Sequence, residues 1–246
     1  MNYLLLVILV ITGIASCTSP NTEKKNIAST SNHSPMLVHE VDLQASELHF
    51  YIKDKTGKRL GNLGALKSML EEEGQELSFG VNAGMFNPQH EPVGLYIENG
   101  QLLSDLDTQQ TGYGNFYLQP NGVFWIDKHQ QAGIVTTESF VYNQDLLYAT
   151  QSGPMLIIDS TIHPIFNPTS SNLNIRNGVG LLPNGKLLFV MSKKKVTFYE
   201  MASFFLDAGC KNALYLDGVV LKTYLPNKNW KNLEGNLGSL IGEIKR

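Results

Sequence analysis

Several apolar runs end in a polar side chain followed at once, or nearly so, by glycine: Asn82-Ala83-Gly84, Gln151-Ser152-Gly153, Arg176-Asn177-Gly178 and Asp217-Gly218. Burying an amide, a guanidinium or a carboxylate costs several kcal/mol unless the group is paired. Such groups must therefore face one another or a ligand. A glycine beside them lets the chain turn sharply or lets a ligand approach the backbone closely. Taken singly, each reads as a turn or cap residue; together they point to a shared pocket. Familiar templates are missing: there is no G-x-S-x-G elbow, no phosphate loop, no G-x-G-x-x-G after a strand and no H-E-x-x-H. The histidines at 33, 39, 49, 90, 129 and 163 lack ligand spacing. His90 alone lies near a candidate site, in a turn, and reads either as a surface turn residue or as a substrate contact. Asp105 and Asp107 read as solvated loop residues. No metal box stands out, and no cofactor is expected, although a divalent metal is compatible with the residues.

The elements that must position these groups are mixed. Leu48, Phe50 and Ile52 alternate as in a half-buried strand, whereas Leu60, Leu63, Leu66 and Leu70 recur at helical spacing up to Gly74. Asn99-Gly100 and Pro183-Asn184-Gly185 sit between apolar runs as hairpin turns, and Pro120-Asn121-Gly122 has the same look between NFYLQ and VFWID. A strand is expected from Met155 to Ile158. Thr197 and Glu200 form a capping box, with Phe198, Met201, Phe204 and Phe205 on the apolar face and Gly209 as the stop. NALYLDG then reads as a buried strand ending in a carboxylate. The pattern has no long βαβ alternation and no fixed repeat. It predicts a single α+β domain, a mixed, largely antiparallel sheet with packed helices.

The chain has 246 residues, 42% apolar and 17% charged, with net charge −3. That suffices for one full core and gives no basic face for a nucleic acid. YLLLVILVITGIASC is an apolar run of roughly 13 residues, too short to span a bilayer and suited to a signal-peptide core. Its end, Ile14-Ala15-Ser16-Cys17, resembles a bacterial lipobox, although Met1-Asn2-Tyr3 carries no Lys or Arg. The expected organisation is a signal peptide over 1–17 with a lipidated, palmitate-bearing Cys17, a tether rich in Ser, Thr, Asn and Pro over 18–36, and a folded domain over 37–246. The expected location is the bacterial cell envelope, membrane-held by the lipid anchor, on the periplasmic or outer surface. Cys210 reads as a small buried apolar group at a helix end.

Asn82-Ala83-Gly84-Met85-Phe86 with Pro92-Val93-Gly94-Leu95 resembles the start of the phosphodiester glycosidase family. The later elements follow in that family's order: a glycine hairpin from Gly94 to Gly100, Ser152-Gly153-Pro154, Arg176-Asn177-Gly178-Val179-Gly180, and Leu216-Asp217-Gly218. The resemblance spans roughly 81–224. Two departures stand out. Asp217-Gly218 continues as Val219-Val220-Leu221 where many members have Gly-Gly-Ser, and Asn177 stands where many have Thr or Ser.

The resemblance implies hydrolysis between a sugar anomeric carbon and a phosphodiester oxygen in an envelope or extracellular glycoconjugate. In that reading Asp217, Arg176 and Asn82 are catalytic, and Gly84, Phe86, Ser152, Gly153, Asn177 and Gly218 bind substrate. Arg176 suits an anionic phosphodiester as a bidentate clamp. Asp217 suits an oxocarbenium-like carbon, as nucleophile, base or electrostatic stabiliser. Backbone N–H groups around Ser152 and Gly153 would add anion binding. The competing reading is a non-catalytic carbohydrate-binding or envelope-interaction lipoprotein on the same fold.

The lipobox generates a direct expectation. Cys17→Ser should leave the protein unlipidated and move it from the membrane fraction to the soluble fraction, because acyl chains alone would hold it there. A variant that sediments with membranes as the parent does would refute the anchor.

Overall fold

In the computed structural model, residues 34–218 and 220–245 are described. Cys17 and the tether up to residue 33 lie outside them. The chain runs β1 (Met36–Val41), β2 (Ser46–Tyr51), α1 (Leu63–Glu72), β3 (Leu77–Asn82), β4 (Tyr96–Glu98), β5 (Gln101–Ser104), β6 (Gly122–Asp127), β7 (Ala132–Thr136), β8 (Leu146–Ser152), β9 (Met155–Ile158) and β10 (Thr161–Ile162). It continues through β11 (Asn177–Leu181), β12 (Leu187–Ser192), α2 (Phe198–Asp207), β13 (Asn212–Tyr215), β14 (Thr223–Leu225), β15 (Trp230–Lys231) and β16 (Leu240–Lys245). The class is α+β in a single domain, as the sequence pattern predicts.

The strands form three sheets. A six-stranded sheet has the order β1-β12-β11-β13-β9-β10, one five-stranded sheet is β15-β14-β3-β16-β2, and the other is β5-β4-β8-β6-β7. Every pairing between these strands is antiparallel. One core joins all three sheets, with Phe50, Phe79, Val81, Tyr96, Phe124, Phe189 and Leu214 buried in it. Period-two alternation explains the choice of face: Leu48 and Phe50 point inward from β2, as do Phe79 and Val81 from β3.

The helices cover outer faces. In α2, Phe198, Met201, Ala202 and Phe205 are buried, while Phe204 is half-buried. This face packs on Leu156, Leu188, Val190 and Ala213 of the six-stranded sheet. The sheet has no side chain at Gly178 and Gly180, and a Cβ at either would come within 3.3 Å of the Phe205 ring. The glycines thus set how closely the helix approaches. At the N-terminus of α2 the capping box is complete: the Glu200 N–H donates to Thr197 Oγ1 at 3.0 Å, and the Thr197 N–H donates to Glu200 Oε2 at 2.7 Å. Cys210, buried just past the helix end, has its thiol pushed up to about 12 by burial. Helix α1 starts later than the leucine spacing alone suggests, after the cap residue Asn62, whose Oδ1 accepts the Ala65 N–H at 2.8 Å.

One turn expectation fails. NFYLQ is not a strand facing VFWID; residues 115–117 form a single 3-10 turn. The buried Asn121 donates from Nδ2 to the Phe116 carbonyl at 3.0 Å, curling the segment back on itself. Asn99-Gly100 does join β4 to β5, with both residues at positive φ, as a two-residue hairpin requires. Gly185 likewise turns β11 into β12 at positive φ.

Glu98, at the end of β4, ties its sheet to the edge strand β2. It accepts from Tyr96 Oη at 3.3 Å and from the Ile52 N–H, yet burial outweighs both and raises its carboxyl to about 7. The unfolded chain releases this proton near 4.5. Between those values the unfolded state loses its proton first, so stability contributed by the protonated form is lost as pH rises through the window. Glu98→Gln should flatten this part of the stability profile, measured by urea unfolding on either side of the window. An unchanged slope would show that Glu98 does not titrate there.

Candidate active site

Three sheets meet at the segment that carries Asp217. Asn82 is the last residue of β3, Ser152 the last of β8 and Asn177 the first of β11, and Tyr215 ends β13. Ser152 Oγ donates to the Leu216 carbonyl at 2.9 Å. The Leu216 N–H donates to the Asn177 carbonyl at 3.1 Å, and Asn177 Nδ2 reaches the Asn82 carbonyl at 3.4 Å. The Tyr215 N–H donates to the Pro154 carbonyl at 3.1 Å. The backbone leading into Asp217 is thereby held from several strands at once.

Asn82 makes the decisive contact. Its Nδ2 donates to the Asp217 carbonyl at 2.6 Å, while its Oδ1 accepts the Lys222 N–H at 3.1 Å. One amide thus closes the base of the 217–222 loop, taking the place of a pair of strand hydrogen bonds. An amide can do this because it carries a donor and an acceptor side by side. Asn82 is buried, and both ends of its amide are satisfied. Asp217, at the start of the loop, is half-buried.

Gly218 completes the turn. A Cβ there would lie 2.2 Å from the Ile175 carbonyl oxygen and 2.5 Å from Arg176 Cα, so only glycine fits against this strand entry. Gly84 serves the same purpose at β8, where a Cβ would lie 2.6 Å from Thr150 Oγ1 and 2.7 Å from the Gln151 carbonyl oxygen. The glycines beside the polar residues thus permit close packing of backbone on backbone.

Arg176 lies behind this turn. Its guanidinium is buried 3.5 Å above the Phe198 ring, with Nε donating to the Val196 carbonyl at 2.9 Å and Nη2 to the Asn172 carbonyl at 3.0 Å. Its backbone N–H donates to Ser192 Oγ at 2.8 Å. Burial lowers its pKa from the usual guanidinium value, opposed by its contact with Tyr215. The Tyr215 hydroxyl accepts the Gly218 N–H at 2.9 Å. Burial first, and then the charge of Asp217, push this phenol up to about 12, while the Gly218 N–H and Arg176 pull it down. A line of polar contacts therefore runs from Arg176 through Tyr215 to the Asp217-Gly218 turn.

The structure brings Asn82, Ser152, Asn177, Arg176, Asp217, Gly218 and Gly84 into this one region. Gly153 packs against Asn121 and Phe116, and Phe86 packs against Gly238 with His90 stacked on its ring at 5.3 Å. Gln151, beside Ser152, has a different task. It accepts the Leu95 and Asp107 N–H groups and donates to the Asp107 carbonyl and Thr137 Oγ1, pinning the loop after β5. Tyr215 escaped the sequence reading. The available signal was a hydroxyl two residues before Asp217, following the buried apolar pair Ala213 and Leu214. Among the described residues no three His, Cys, Asp or Glu side chains gather as ligands for one ion.

Comparison with other proteins bears on the fold and the family. The sequence model of the phosphodiester glycosidase family matches residues 75–236. The uncharacterized protein YigE of Escherichia coli (strain K12) is 33% identical over 188 residues, covering 76% of this chain and 73% of that protein. Among solved structures, the zebrafish N-acetylglucosamine-1-phosphodiester alpha-N-acetylglucosaminidase catalytic domain, auto-inhibited by its pro-peptide, superposes with a TM-score of 0.58 at 13% identity, over 88% of this chain and 85% of that one. A hypothetical protein from Synechocystis gives 0.51 at 14% identity, over 86% of this chain and 59% of that one. The structural likenesses establish a shared fold. With the family match running over both Asn82 and Asp217, and a relative at this identity, the chain belongs to the phosphodiester glycosidase family.

Proposed function

We propose that the domain hydrolyses the bond between a sugar anomeric carbon and a phosphodiester in an envelope or extracellular glycoconjugate, with Asp217 as the working carboxylate. The observation that carries this reading is the half-buried Asp217 on a turn whose backbone is held by Asn82, Ser152 and Tyr215 from three sheets. Rigid presentation of one charged group suits a reaction whose transition state develops charge at a fixed point. An oxocarbenium-like carbon is stabilised by a nearby carboxylate. The departing phosphodiester is already a stable anion, so the reaction needs less from a general acid than alkoxide departure does. The zebrafish relative's name gives an N-acetylglucosamine-1-phosphodiester as its substrate, which makes that sugar the first to test here.

In this mechanism Asn82 holds the loop that carries Asp217, and Asn177 and Ser152 fix the strand leading to it. Arg176 acts as a positioning residue: its fork is engaged by the Val196 and Asn172 carbonyls, and its influence reaches the turn through Tyr215. Substrate contacts are assigned to the surface around Asp217 and Gly218. The Cys17 anchor would place the domain at the bacterial envelope, near glycoconjugates held there. A second reading, a carbohydrate-binding domain without catalysis, is favoured by the same burial of Arg176, since its guanidinium is turned inward and does not grip a phosphodiester.

Turnover separates the two readings. The purified soluble domain should release sugar from at least one member of a panel of sugar-1-phosphodiesters and wall-polymer fragments. Asp217→Asn should lower that rate by roughly a thousandfold or more while leaving ligand affinity within a few fold, because it removes charge and keeps shape. Full activity in that variant would move the chemistry elsewhere.

The Asn82 clasp yields a separate expectation. Asn82→Ala strips partners from the Asp217 carbonyl and the Lys222 N–H, at about 1–3 kcal/mol if those groups remain buried. Hydrogen exchange at the Lys222 amide should accelerate and turnover should fall with it. Unchanged exchange at Lys222 would show that the loop keeps its closure without the amide.

A further inference from the structure

The β12–α2 connection carries Lys193-Lys194-Lys195, all exposed, in a chain whose net charge is −3. Elsewhere some lysines pair with carboxylates, among them Lys55 with Glu73, Lys67 with Glu71, Lys128 with Asp145 and Lys186 with Glu40 and Asp42, while others such as Lys53, Lys58 and Lys231 stand alone on the surface, none of them in a run of three. Among the described residues none of Lys193, Lys194 and Lys195 makes an ion pair. Three like charges in a row repel one another, so leaving them unpaired favours an anion from outside.

Their position is specific. The residue before them, Ser192, accepts the Arg176 N–H, and the residue after them, Val196, accepts Arg176 Nε. Arg176 Cα in turn lies against Gly218, one residue from Asp217. The three lysines therefore sit on a connection fixed at both ends to the residue that backs the Asp217 turn. At the far end of the 217–222 loop stands a fourth cation, the half-buried Lys222, whose N–H is held by Asn82. The Asp217 turn is thus tied through Arg176 to the lysine connection and through its own loop to Lys222.

We infer that Lys193, Lys194 and Lys195, together with Lys222, form a cationic rim that binds the phosphates neighbouring the bond cut at Asp217, and that the substrate is a polymer of repeating sugar phosphodiesters. This rests on the hydrolase reading. A single sugar phosphodiester offers one negative charge, which Asp217 itself opposes. A polymer places further phosphates at the spacing of its repeats, where flexible lysine side chains reach them as point charges. Binding by such a rim is additive, sequence-tolerant and weakened by salt.

The test uses the substitution set K193Q/K194Q/K195Q in the complete folded chain. The side chains are exposed and the backbone bond from the Lys193 N–H to the Pro35 carbonyl at 2.7 Å is retained, so thermal unfolding should match the parent. On a wall polymer of repeating sugar phosphodiesters, kcat/KM should fall roughly ten- to a hundredfold, and its salt dependence should flatten. On a single sugar-1-phosphodiester it should stay within about twofold. An equal loss on both substrates, or on neither, overturns the rim. Polymer binding is measured in parallel with D217N chains, with and without the three substitutions, using the same polymer and long-chain inorganic polyphosphate. If the parent chain turns over no substrate while the three substitutions still abolish polymer binding, the rim is upheld and the hydrolase reading is rejected. Loss of binding only to vesicles containing anionic phospholipid, with polymer binding intact, assigns the surface to a membrane and overturns the proposal.

Discussion

A guanidinium buried with no carboxylate partner among the described residues organises this domain. Arg176 carries a permanent charge into the interior, and removing such a charge from water is expensive unless acceptors surround it. The acceptors come from the adjoining segment and from farther along the chain: the Asn172 carbonyl, the Val196 carbonyl and the contact with Tyr215, with the Phe198 ring beneath. Each of these must hold its place for the charge to be tolerated. The irregular segment before β11, the entry to α2 and the end of β13 are thereby locked to one another. The Asp217 turn inherits its position from that lock through Tyr215 and Gly218.

The same logic answers what an amide does at the end of an apolar strand. Asn82 ties two backbone groups of a neighbouring loop, and neither end of its side chain is spare. Among the buried polar groups around it, Asn177 Oδ1 lacks a protein partner, while its Nδ2 faces the Asn82 carbonyl. The polar cluster is therefore mostly a frame, and the residue it presents is Asp217. That division of labour places the rigidity in buried amides and hydroxyls and, in the proposed hydrolase reading, the chemistry in one half-buried carboxylate.

Much of the fold was legible in local pattern. The capping box located α2, alternation located β2, and Asn-Gly and positive-φ glycines located two hairpins. These signals are local, so a single sequence contains them. The Pro120-Asn121-Gly122 turn misled because the side chain of Asn121 bonds back to Phe116, a contact that no propensity encodes. The polar cluster around the candidate site was legible as a set of residues, since buried polar groups beside glycine are conspicuous. Their orientations were not. Arg176 can turn its fork outward or inward, and only the placement of Phe198 and of the Val196 carbonyl decides which. Tyr215 stayed hidden because a tyrosine on a buried strand looks like core until its hydroxyl is seen to accept the Gly218 N–H. The split into three sheets was hidden for a further reason: strand order depends on long-range pairing, which alternation does not specify.

The first strand gives the domain a mechanical character. β1 lies at the edge of the six-stranded sheet, and its first residue, Met36, pairs with Ser192, whose hydroxyl accepts the Arg176 N–H. Just ahead of it the Pro35 carbonyl accepts the Lys193 N–H at 2.7 Å. Tension applied to the chain ahead of residue 34 enters the fold at these bonds. Antiparallel pairs loaded from one end open one at a time, so the first to yield is the one beside the arginine's support. A pull on the chain ahead of residue 34 would thus load the domain next to the Asp217 turn before anywhere else, coupling force at this sheet edge to the geometry of the candidate active site.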